Sequence, residues 1–202
     1  MSEFLLYLRL GIEHVLDLKA YDHILFFAAL ILPFSLKQWK KIVLLVSIFT
    51  LGHTLSLILA VYKIKPISSD WVEFLIIISI LITALIALLS AGKNNSSHNN
   101  TKWHLPLITF LFGLIHGFGF SNYLLTLLPN STSEKVLYAL EFALGVELAQ
   151  LLVVLIVMAL AFLIQNILRY SKKETTLILS SIIIGMVIPL LIETPIFKLL
   201  SK

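Results

Sequence analysis

Imidazole and carboxylate side chains are the residues of this chain whose types and spacing can do chemistry. His14 precedes an adjacent pair, Asp22 and His23. His53 is flanked at i−3 and i+3 by Thr50 and Ser56, and His116 sits among Gly113, Gly117 and Gly119. Glu141, Glu147 and Gln150 fall in one apolar stretch, where the last two share a helical face. Imidazole with carboxylate is the donor set of a borderline divalent ion such as nickel, zinc, cobalt or iron, whereas magnesium and calcium favour oxygen alone. The chain has no cysteine, which excludes disulfides, thiolate sites and iron–sulfur clusters. Copper(I) wants sulfur, and Met1, Met158 and Met186 are not near these residues in the pattern. The expected metal ligands are His14, Asp22, His23, His53, His116 and Glu147, with Thr50, Ser56, Glu141 and Gln150 as supporting groups around them.

The elements that must position these residues are membrane helices. Of 202 residues, 59% are hydrophobic and only 13% charged, and mean hydropathy is +1.00. Such a chain has too little polar surface to coat a soluble globule. The apolar blocks have the length of helices that cross a hydrocarbon core about 30 Å thick, not of alternating barrel strands. The expected fold is therefore all-α, a polytopic bundle of about six transmembrane helices forming a single domain over residues 1–202. Residues 1–20 read as an interfacial helix, because Arg9, Glu13 and Asp17 recur every four residues as one polar stripe; no cleavable signal peptide is expected. The six spans are expected at Tyr21 to Leu36, Ile42 to Tyr62, Trp71 to Ala91, His104 to Leu128, Val136 to Leu168 and Thr175 to Ile196. Residues 92–102, GKNNSSHNNTK, read as a solvated loop that carries His98, and His104 reads as interfacial.

Formal charge is +4 with a pI near 9.3. The basic residues lie in short loops between apolar blocks, the pattern of helix ends at lipid headgroups, so nucleic acid is excluded as a partner. Loops after the first, third and fifth spans and the opposite set are nearly matched in basic residues, while most acids lie on the side of the termini. Termini outside is the expected orientation. Each ionisable group at a helix centre costs on the order of 2.5 to 3.5 kcal/mol, which makes each a functional candidate. Counting helical rise places His53 roughly 18 to 20 Å above the basic start of its span, His116 at a similar height, and Glu147 about 16 Å from the opposite surface. The histidines and carboxylates are thus expected to gather in the half nearer the termini. Below them the polar groups are few: Ser47, Thr83, Ser90 and Thr109.

Four strings carry a resemblance: GIEHVLDLKAYDHILFF at 11–27, FTLGHTLSL at 49–57, FGLIHGFGFSN at 112–122 and LGVELAQ at 144–150. In this order, at membrane depth, they resemble the HupE/UreJ membrane proteins, in particular the shorter second subgroup. The interval between His14 and the Asp22–His23 pair is longer than the family's usual one, and Ala143 stands where relatives often have Asn. The resemblance implies a nickel or cobalt permease of a bacterial-type inner membrane, with His14, Asp22, His23, His53, His116 and Glu147 at the matching positions. The expected function is a secondary transporter for a divalent transition metal, with the ion as substrate, the lipid bilayer as surroundings and a homo-oligomer as a further possible partner. Uptake could draw on the membrane potential, about 2.3 kcal/mol per charge per 100 mV. The alternative is an intramembrane zinc or iron enzyme acting on a lipid or membrane peptide, with Glu147 or Asp22 as general base for a metal-bound water.

Overall fold

The computed structural model describes residues 2–64, 67–91, 104–129 and 131–201. His98 and the segment 92–102 lie outside them. Among the described residues every regular element is helical: α1 Glu3–Leu16, α2 Asp22–Ile31, α3 Trp39–Val61, α4 Ser69–Ser90, α5 His104–Leu127, α6 Thr132–Asn166, α7 Lys172–Glu193 and α8 Pro195–Leu200. Five of them, α3 to α7, are long and apolar enough to cross a membrane. The chain is an all-α membrane helix bundle.

Local chemistry sets the boundaries. Ser171 and Glu174 cap the start of α7 reciprocally, and Pro195 opens α8 behind the Thr194 cap. Lys63 and Arg169 take left-handed backbone, at φ 63° and 58°, just past the ends of α3 and α6.

The first apolar block does not form one full-length span. Its helix, α2, has 10 residues, a rise of about 15 Å. The crossing is completed by α1. At one end of the bundle the Tyr7 hydroxyl donates to Leu127 O at 3.2 Å and Tyr7 stacks on Tyr138 of α6, the ring centroids 4.4 Å apart. At the other end Lys172 Nζ donates to Pro33 O at 2.7 Å and the Thr176 hydroxyl to Leu32 O at 3.3 Å. The pair α1 and α2 therefore runs from the face where α6 begins to the face where α7 begins, broken between Asp17 and Tyr21. The expected interfacial helix, α1, keeps Arg9 and Glu13 exposed as a pair 2.6 Å apart, but Tyr7, Gly11 and Val15 are buried. Non-helical backbone at membrane depth is tolerated where protein or a water-lined cavity covers it, and transporters place ion sites at such breaks.

Glycines set the helix spacing around the break. A Cβ on Gly11 would lie 2.1 Å from Phe142 O, and one on Gly145 2.0 Å from Leu8 O, so α1 and α6 touch backbone to backbone. On the α3–α5 seam a Cβ on Gly113 would meet Phe49 O at 2.2 Å, and one on Gly117 would meet Ser56 Oγ at 1.9 Å. No substituent larger than hydrogen fits these crossings unchanged.

Candidate metal centre

Four helices deliver one imidazole each to the same volume. His14 comes from the last turn of α1, His23 from the first turn of α2, His53 from α3 and His116 from α5. His23 and His116 are 1% exposed and His53 is 0% exposed. Ring centroids are 4.8 Å apart for His14 and His23, 5.8 Å for His23 and His53, 5.9 Å for His14 and His53, and 5.2 Å for His23 and His116. Ligand atoms of His14, His23 and His53 all lie within 4.8 Å of one another. Two nitrogens on one metal ion can be no more than about 4.2 Å apart, twice a metal–nitrogen bond. Three nitrogens around one ion lie at most about 3.6 Å apart when evenly spread, so side-chain shifts of up to about 0.7 Å each would close all three onto it.

Hydrogen bonding aims the lone pairs. His116 Nδ1 lies 2.8 Å from Phe112 O; a carbonyl only accepts, so Nδ1 carries the proton and Nε2 presents a lone pair. His23 Nδ1 lies 3.1 Å from Asp22 Oδ1, which also accepts the His23 backbone N–H at 2.8 Å. The carboxylate fixes the same tautomer, and Nε2 is again the free atom. His14 Nε2, His23 Nε2, His116 Nε2 and both ring nitrogens of His53 are buried without a hydrogen-bond partner. An unsatisfied buried polar atom costs about 1 to 3 kcal/mol. A neutral imidazole keeps one N–H, so His53 offers one of its two nitrogens, and the four rings together present up to four lone pairs to a cation. Phe26, Phe49 and Phe142, each 0% exposed, wall the volume off from water, and Phe120 packs on His14 at 3.8 Å between centroids.

Asp22 carries the negative charge of the group, and its side chain is 29% exposed. It sits beside the break between α1 and α2, where the carbonyl end of α1 also favours a cation. Carboxylates that orient a ligating imidazole are worth about 10- to 100-fold in metal affinity. Asp22→Asn is expected to weaken metal binding by that factor while leaving thermal stability unchanged, as titration calorimetry beside a melting curve will show.

Among the other expected residues, Glu147 Oε1 accepts from the Ser47 hydroxyl at 2.6 Å. Gln150 Oε1 accepts from the Thr50 hydroxyl at 2.9 Å. On α3, Thr50 and Ser47 precede His53 by three and six residues, about 4.5 and 9 Å toward the basic-loop end. These four side chains form a polar ladder across the α3–α6 seam; α6 runs opposite to α3, so Glu147 lies nearer the face where α6 begins than Gln150 does. Ser56 serves the scaffold, donating to His53 O at 2.7 Å. Glu141 keeps one buried, unpartnered carboxylate oxygen outside the group, and Glu193 is exposed at the end of α7. The phenylalanine walls and the Ser47 partner of Glu147 were not expected; Ser47 lies at i−3 from Thr50, a spacing that could have shown it.

No match was found among curated proteins or among solved structures. A family model, HupE / UreJ protein, matches residues 1–193, and the chain therefore belongs to the HupE/UreJ family.

Proposed function

We propose that the chain is a secondary transporter, a permease that carries a divalent transition metal ion, nickel first among those to test, through the group of His14, Asp22, His23, His53 and His116. The observation that carries this reading is the convergence of four buried imidazoles with unpartnered nitrogens on a helix break. The nickel and cobalt transport associated with the HupE/UreJ family supports it. So does the ladder of Ser47, Thr50, Glu147 and Gln150, which adds oxygen atoms on the α3–α6 seam, Ser47 and Thr50 lying toward the basic-loop end from His53. With the termini outside a bacterial-type inner membrane, an ion enters beside Asp22, meets the imidazoles and leaves along α3 and α6. The enzyme reading takes second place, because a general base must be free beside a metal-bound water. Glu147 is held by Ser47, and Asp22 is held twice by His23.

The test is elemental analysis of the purified protein, wild type beside His53→Ala and His116→Ala, with nickel uptake into proteoliposomes recorded on the same samples. Uptake that depends on both histidines, with little metal retained, is the expected result. Stoichiometric metal that survives purification, with no uptake, overturns the permease in favour of the enzyme. Glu147→Gln separates the ladder from the binding group. It is expected to leave nickel affinity unchanged and to slow uptake about tenfold, the effect of roughly 1.4 kcal/mol at the barrier.

A further inference from the structure

At the basic-loop end, α2 stops at Ile31, and the chain turns through Pro33 and Ser35 into a single 3-10 turn, Leu36–Gln38, before α3. Between this turn, the last part of α6 and the first turn of α7 lies a cavity of about 300 Å³. Its lining is chemically divided. The charged residues in it, Lys37 and Lys172, are both cationic, and Gln165 and Asn166 add amide donors beside them. Met158 and Phe162 of α6 add apolar surface to the same lining. Phe162 is 49% exposed, beside Leu155 at 64% and Leu163 at 46%, so the apolar wall continues onto the bundle surface that faces acyl chains.

Among the described residues neither ammonium group has an anion paired with it. Among the described residues the ion pairs are Arg9 with Glu13 and Asp22 with His23, both remote from this end. The acid on the first turn of α7, Glu174, is engaged by Ser171 N and Oγ, each at 2.7 Å. Lys172 donates one proton to Pro33 O at 2.7 Å, which closes the end of α2 and leaves two protons to donate. Lys37 is exposed and has no such structural duty.

We propose that this cavity binds an anionic phospholipid of the surrounding bilayer, its phosphate held by Lys37 and Lys172 and an acyl chain lying along Met158 and Phe162. Basic pockets between membrane helices at headgroup level have this preference. Cavity and ligand are amphipathic in the same sense. A zwitterionic lipid would bring its own ammonium toward two lysines, and a free anion would leave the apolar wall uncovered. Lipid seated here braces the end of α2, the helix whose other end carries Asp22 and His23.

The test is thermal unfolding of the full chain in detergent with added phosphatidylglycerol, phosphatidylcholine or inorganic phosphate. Wild type is compared with Lys37→Gln and with Lys41→Gln, which removes the same charge from the same face outside the cavity. Phosphatidylglycerol is expected to raise Tm by about 2 to 4 °C in wild type and in Lys41→Gln, and by less than half as much in Lys37→Gln. Phosphatidylcholine and phosphate are expected to leave Tm unchanged. Equal shifts with both lipids, a full shift with phosphate alone, or equal losses in the two lysine variants would each overturn the proposal. None of these readings depends on metal transport.

Discussion

Replacing His53 by alanine is expected to abolish nickel binding and uptake together, lowering affinity by more than about a hundredfold. Removing a group that merely orients a ligand already costs about 10- to 100-fold, and His53 offers a lone pair directly. It is 0% exposed, and neither of its ring nitrogens has a partner. Its main-chain carbonyl, not its ring, carries the local structure, accepting from Ser56. The alanine variant removes two unmet polar atoms from a phenylalanine-walled volume, but it also leaves a cavity where a fully buried ring stood, and large-to-small substitutions in a core cost about 2 to 5 kcal/mol. Thermal stability in the absence of metal is expected to fall by the cost of that cavity, while the stabilisation that nickel confers on wild type disappears. Melting curves with and without nickel, beside binding calorimetry, check both halves. A variant that keeps the wild-type nickel affinity and the nickel-induced rise in Tm would mean that the binding group lies elsewhere.

The donor types were legible in the sequence because an ionisable side chain in an apolar block has little reason to be there except function. His14, His23, His53 and His116 stand out in this way, and the fold brings them together. Glu147 shows the limit of the method. Counting residues along a helix gives a height, but each residue also turns the helix by about 100°, and height alone cannot say which neighbour a side chain faces. The Glu147 carboxylate is bonded to Ser47 on the α3–α6 seam. The phenylalanine walls were invisible for a different reason: in a membrane protein, apolar residues face lipid and core alike, so Phe49 or Phe142 cannot be told from a lipid-facing neighbour by type. The broken first crossing was half legible. The short apolar block before Pro33 and the polar stripe before it were both present, yet the seating of α1 rests on Gly11 meeting Gly145, two residues far apart in the chain.

That seating makes the second large effect a packing one with a chemical readout. Gly11→Leu places a side chain where even a Cβ would lie 2.1 Å from Phe142 O and 2.9 Å from Val146 N, both backbone atoms that cannot step aside. Overpacking of this kind costs about 1 to 3 kcal/mol when the structure yields locally, and the part able to yield is α1. Its strongest attachment is to α6, and its far side, with Arg9 and Glu13, is exposed. The α3–α5 seam holds His53 and His116 through its own glycines and does not depend on α1. Displacement of α1 then withdraws His14 while leaving the other three imidazoles in place. The variant is therefore expected to bind nickel as weakly as His14→Ala does, although residue 11 never touches the ion. Combining the two substitutions is expected to cost no more than either alone, since both remove the same ligand and effects acting through one group do not add. Calorimetric nickel titration of the two single variants and the double, each matched by a melting curve, measures this. Additive losses would show that α1 positions more of the site than its own histidine, and normal affinity in Gly11→Leu with weak binding in His14→Ala would show that α1 can reach the site without its contact to α6.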